Sequence, residues 1–100
     1  MTSIRHYKTP HVVKLDGRYK FYPKFKYRID FNTQGMKDWE RWYTVNKWCT
    51  ATWGDEYIWS ANHIKPTEYR TEISKKNRHY RHLYLRSEQD LTMMLLVIGA

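Results

Sequence analysis

Residues 24–31 read Lys-Phe-Lys-Tyr-Arg-Ile-Asp-Phe, and no other stretch restricts the fold as tightly. Phe25, Tyr27, Ile29 and Phe31 alternate with Lys24, Lys26, Arg28 and Asp30. Successive side chains of a strand point to opposite faces. A period of two therefore puts four apolar groups on one side of a sheet, and three cations with one acid on the other.

The neighbouring segments are read from that strand outwards. Upstream, residues 11–15 and 18–22 flank Asp16-Gly17, a two-residue turn signal, and predict a β-hairpin. Pro23 then interrupts any ladder. Downstream, Asn32-Thr33 offers a helix N-cap. Met36, Trp39, Trp42, Tyr43, Cys49 and Trp53 follow at helical spacing, and Gly54 is the natural stop. At 100° per residue Trp39, Trp42, Tyr43, Cys49 and Trp53 share one face, while Trp48 falls off it. Residues 57–61 predict a short strand. Residues 62–77 show little periodicity, contain Pro66 and read as a loop.

The last clear strand spans residues 79–86. Leu83 and Leu85 face one way, and Tyr80, His82, Tyr84 and Arg86 the other. Ser87-Glu88-Gln89-Asp90 resembles a capping box with Asp at its fourth position. Residues 91–98 are apolar except Thr92. They read either as one helix or as a short helix to Met94 followed by a strand over 95–98. The expected class is α+β: a ferredoxin-like β-α-β-β-α core preceded by an N-terminal hairpin.

One hundred residues make a single domain, 1–100, with residues 1–10 as a flexible arm. Net charge is +8, and residues 1–28 carry eight Lys/Arg against Asp16 alone, so the N-terminal quarter holds most of the excess. Cys49 is the one cysteine, which excludes an internal disulfide and fits a reducing compartment. The apolar run over residues 93–98 is far too short to span a bilayer, and the N-terminus shows no signal-peptide pattern. The expected location is the cytoplasm, with no membrane partner.

Two patterns carry a resemblance. One is Trp48-Cys49 with Trp53-Gly54, followed by an aromatic strand containing Trp59. The other is Leu83-Tyr84-Leu85-Arg86-Ser87-Glu88-Gln89-Asp90 running into Met93-Met94-Leu95. Over roughly the C-terminal 60 residues the chain resembles small uncharacterised proteins of tailed, marine-type bacteriophages. The resemblance implies a viral origin with an accessory role in the host cytoplasm or a place in the virion. It brings no catalytic residue.

For function, residues 18–28 interleave cations with aromatics, and a second cluster follows at 75–86. Cations neutralise phosphates and release counterions; aromatic faces stack on unpaired bases. The candidate nucleic-acid-binding residues are Arg18, Lys20, Lys24, Lys26, Arg28, Lys75, Lys76, Arg78, Tyr80, Arg81, Tyr84 and Arg86, with single-stranded nucleic acid as the expected partner. The rival is a protein-binding module, either a modulator of an acidic host protein or a minor virion component, with Trp48 as its anchor. The C-terminal apolar segment offers a route to a homo-oligomer. Chemistry is weakly represented. His79 and His82 point to opposite faces of a strand, and one cysteine makes no thiolate metal site. With glycine at positions 17, 35, 54 and 99, no phosphate-cradling loop forms. A small metal-independent nuclease using His79 or His82 is the remaining catalytic alternative. No cofactor is expected.

Overall fold

The computed structural model describes residues 10–18, 25–54, 57–59, 64–66 and 68–99, with backbone alone at 57–59 and 64–66. The elements in order are β1 (His11–Lys14), β2 (Tyr27–Asn32), α1 (Met36–Trp53), β3 (Tyr57–Trp59), β4 (Ile64–Pro66), β5 (Tyr69–Ile73), β6 (Tyr80–Leu85) and α2 (Glu88–Val97). The chain is α+β. Four strands form a sheet in the order β1-β2-β6-β5, with every neighbouring pair antiparallel, and β3 pairs with β4 in a separate two-stranded sheet.

Register decides which side chains meet. Ile29 lies opposite Leu83 and Tyr27 opposite Leu85, while Tyr69 faces Leu85 from the other side. These residues, with Phe31, form the sheet's contribution to the main core. Val45 and Cys49 of α1 and Met94 of α2 close it from above, all fully buried. Trp42 meets Phe31 edge-on at 5.3 Å. Each such side chain contributes roughly 1.5–3 kcal/mol on burial.

Several expectations are corrected. The described partner of β1 is β2, with His11 opposite Asp30 and Lys14 opposite Tyr27. Asp16 accepts from the Arg18 N–H at 2.9 Å, a side-chain-closed turn, and Leu15 N–H continues the pairing by donating to Lys26 O. Residues 19–22 of the predicted hairpin and the 1–9 part of the arm lie outside the described residues. Phe25 leaves the row of Tyr27, Ile29 and Phe31 because the strand starts only at Tyr27. It packs with Leu15 and Tyr84 in a second cluster. Residues 62–77 are not one loop: they contain β4 and β5. The alternation of Tyr69, Thr71 and Ile73 with Arg70 and Glu72 is real but mostly polar, which hides it from a hydrophobic period.

Helix α1 turns inward only part of the face expected. Cys49 is buried and Trp42 and Trp53 pack on the core, but Trp39 and Tyr43 are exposed, and Asp38 and Val45 are buried beside them. The cause sits in the first turn. The Asp38 carboxylate accepts from the Asn32 N–H at 2.9 Å and from Arg41 at 3.2 Å, which pulls Asp38 inward and rotates Trp39 outward. The helix begins after Gly35 rather than at Asn32-Thr33. It ends where expected, at Gly54, whose φ of 83° lies in the left-handed region that glycine tolerates.

Helix α2 runs unbroken through residues 88–97, so the single-helix alternative holds and no strand forms at 95–98. Its N-cap is the expected Ser87, whose Oγ accepts from the Asp90 N–H at 3.1 Å. The Asp90 carboxyl is pushed above its ordinary range, first by burial and then by the neighbouring Glu68. Ser87→Ala should cost about 1 kcal/mol, lowering Tm by about 4–8 °C in a domain of this size. A thermal melt checks this, and an unchanged Tm would show that the cap contributes nothing.

Candidate nucleic-acid interface

Between β5 and β6 the chain turns through Ser74, Lys75, Lys76, Asn77, Arg78 and His79. The turn is built from its own polar side chains. Ser74 Oγ accepts from the N–H groups of Lys76 (3.3 Å) and Asn77 (3.4 Å), and Asn77 Oδ1 accepts from the His79 N–H (3.0 Å). Tyr80 N–H closes it on Asn77 O at 2.9 Å. Thr33 then ties it to the start of α1, its N–H and Oγ1 both donating to His79 O. Lys75, Lys76 and Arg78 are exposed on this frame. Residues 73–87 hold five Lys/Arg and no acid. Such a turn concentrates positive potential where no internal carboxylate neutralises it.

Beside the turn lies a groove of about 480 Å³, lined by Trp39 and Trp42 of α1, Thr71, Glu72 and Ile73 of β5, and Arg81 of β6. Ile73 and Arg81 are cross-strand partners on the helix-covered face. Trp39 is 46% and Ile73 54% exposed. The Arg81 guanidinium donates to Arg78 O at 3.0 Å, which pins it between turn and groove.

The opposite sheet face is a closed polar network. Arg28 grips Asp30 through two bonds, of 2.7 and 3.0 Å, and His82 Nδ1 lies 2.7 Å from the same carboxylate. Burial alone would raise the Asp30 pKa; the hydrogen bonds and charges of His82 and Arg28 outweigh it and hold the carboxyl below its ordinary value. Tyr84 donates to Glu72 at 2.9 Å, and burial, then the Glu72 carboxylate, pushes its phenol well above the ordinary range.

This geometry sorts the predicted residues. Lys75, Lys76, Arg78 and Arg81 come together, with Tyr80 half-buried at the same end of β6. Tyr84 is withdrawn: it is 4% exposed and packs against Phe25, so it offers no face to a base. Arg28 is withdrawn from phosphate contact because Asp30 occupies it. Arg18 is exposed but paired with Asp16 at 2.8 Å. Lys26 and Arg86 lie at the far end of the sheet, a strand length of roughly 17 Å from the turn. Lys20 and Lys24 are outside the described residues. Trp48 is half-buried against the core and edge-on to Trp53 of the same helix at 5.1 Å, which leaves only part of its ring to a partner.

No protein-family model, curated protein or solved structure matches this chain.

Two features of the candidate site are not legible in the sequence. Helical period puts Trp39 on one face with Trp42 and Cys49, yet with Asp38 turned inward it stands exposed. Asp30 was read as one charge among exposed cations, yet it is the buried centre of a network. Its sequence signal is the single acid opposite a histidine-bearing strand. Among the described residues no three His, Cys, Asp or Glu gather in a metal-binding geometry, and no helix is long and apolar enough to cross a membrane.

Proposed function

We propose that the protein binds single-stranded nucleic acid, without reacting on it, through the 74–79 turn and the adjoining groove. The observation that supports this best is the turn itself: an acid-free, internally hydrogen-bonded frame presenting three exposed cations beside an exposed indole. Each phosphate that these cations neutralise releases counterions. The site differs from the one expected from sequence, because Arg18, Lys26 and Arg28, the described cations of 18–28, do not join it.

The sheet order supports a ferredoxin-like reading of the fold. β2 and β5 run in the same direction with β6 between them, which is the split β-α-β arrangement, and β1 takes the edge beside β2. The resemblance to small tailed-phage proteins supports an accessory role for such a binder.

The test is a fluorescence-polarisation titration against mixed-sequence single strands at about 50 and 200 mM salt. Micromolar or tighter binding that weakens steeply with salt is expected. Absence of binding at the lower salt would overturn the reading and direct the basic turn towards an acidic protein surface.

A further inference from the structure

We infer that the groove between α1 and β5 seats one unpaired base of the bound strand, stacked on the indole of Trp39, while the adjoining phosphates rest on the 74–79 turn. This deepens the nucleic-acid reading and rests on it.

Three features point to a base as the occupant. The first is the groove's construction. Trp42 forms a wall that cannot collapse inwards, because its ring is held edge-on to the buried Phe31. Trp39 and Ile73 stand out from that wall with about half their surface in water. Two large apolar side chains on either side of a slot make a place for something flat and apolar-faced, and a nucleobase is both.

The second is charge. The turn follows directly after Ile73 of the lining, so its cations lie within a few residues of the groove along the chain. Arg81 lines the groove itself, and its bond to Arg78 O uses one of the guanidinium's five donors. The acid in the lining, Glu72, does not oppose this. Its carboxylate accepts from the Tyr84 hydroxyl, and Tyr84 and Glu72 belong to the sheet face away from α1. The groove therefore combines an apolar slot with a positive rim, which matches a base attached to its own phosphate.

The third is accessibility. A paired base in a duplex has both faces covered by its neighbours and cannot enter a slot between side chains. An unpaired base can be splayed out and stacked on an aromatic ring. The groove should thus separate single strands from duplexes, which the turn alone cannot do because phosphates are common to both.

The experiment measures polarisation of a fluorescein-labelled oligo-dT of about 12 nucleotides, and of a duplex of the same length, against wild type and variants. Trp39→Ala should weaken oligo-dT binding about 5–150-fold and leave duplex binding within about twofold. Trp39→Phe, which keeps an aromatic face, should restore most of the affinity and serves as the folded control. Oligo-dT binding by Trp39→Ala equal to wild type, or an equal loss for duplex and single strand, would overturn the inference. The two readings fail separately. If wild type binds neither probe, the nucleic-acid reading itself falls. If changing the turn cations removes binding while Trp39→Ala does not, the groove alone is excluded.

Discussion

Replacing Lys75, Lys76 and Arg78 together by glutamine should flatten the salt dependence of single-strand binding, lowering the slope of log K against log salt by about 2. On a single strand each neutralised phosphate contributes about 0.7 to that slope. The loss therefore has a characteristic shape. It is about 100-fold at 0.1 M salt and vanishes as salt approaches 1 M, since counterion release has no driving force there. The turn should survive the change, because Ser74, Asn77 and Thr33 build its frame and the three cations take no part through their side chains in those bonds. Arg28→Gln is the control. Its guanidinium is committed to Asp30, so this variant should lose stability and keep the wild-type slope. An unchanged slope in the triple variant would remove the turn from the interface. A flattened slope in Arg28→Gln would place the interface on the other sheet face.

The second large effect is on stability. Asp30→Asn should cost about 3–5 kcal/mol, because it strips the counter-charge from Arg28 and disturbs the contact with His82 where both are largely withdrawn from water. For a domain of this size that lowers Tm by more than about 12 °C. Against a total stability of roughly 5–15 kcal/mol the loss is severe. The pH dependence follows from the sign of the Asp30 shift. The folded-state value lies below the ordinary carboxylate value, so the contribution is complete above about pH 4 and drains away as pH falls through the lowered value. The gap between the urea midpoints of wild type and variant should therefore narrow as pH is taken from 7 down to 3. A constant gap across that range would show that the lost stability comes from packing rather than from the ionised carboxylate. Substituting Arg28, Asp30 and His82 together by apolar residues of similar size should recover much of the loss, since no uncompensated charge then remains.

Legibility followed the strength of local signals. The strand centred on Ile29, the strand carrying Leu83 and Leu85, the Gly54 stop and the Ser87 cap are all readable because each depends on period or on a residue type with a specific backbone role. β5 was not readable. Its inward residues Tyr69, Thr71 and Ile73 include a hydroxyl-bearing pair, and pattern recognition sees no apolar row. The face of α1 was misjudged for a related reason. Trp39 and Tyr43 are as apolar as Trp42, and the tie between Asp38 and the Asn32 N–H, which selects among them, joins residues on two elements.

By itself the sequence determined an α+β chain with two apolar-faced strands, a helix stop at Gly54, a helix cap at Ser87, and an excess of positive charge with aromatics between. Those properties rest on interactions within a few residues, which composition and spacing record. Tertiary structure alone decided which cations are available. Pairing β2 with β6 brought Asp30 against His82, and with Arg28 already on the same strand face it closed a largely buried network that commits Arg28 to Asp30. Pairing β5 with β6 set Lys75, Lys76 and Arg78 on a tight turn and laid Ile73 and Arg81 beside Trp39. Whether a charge is free or neutralised depends on what lies within about 4 Å of it in space, and strands distant in the chain supply those neighbours.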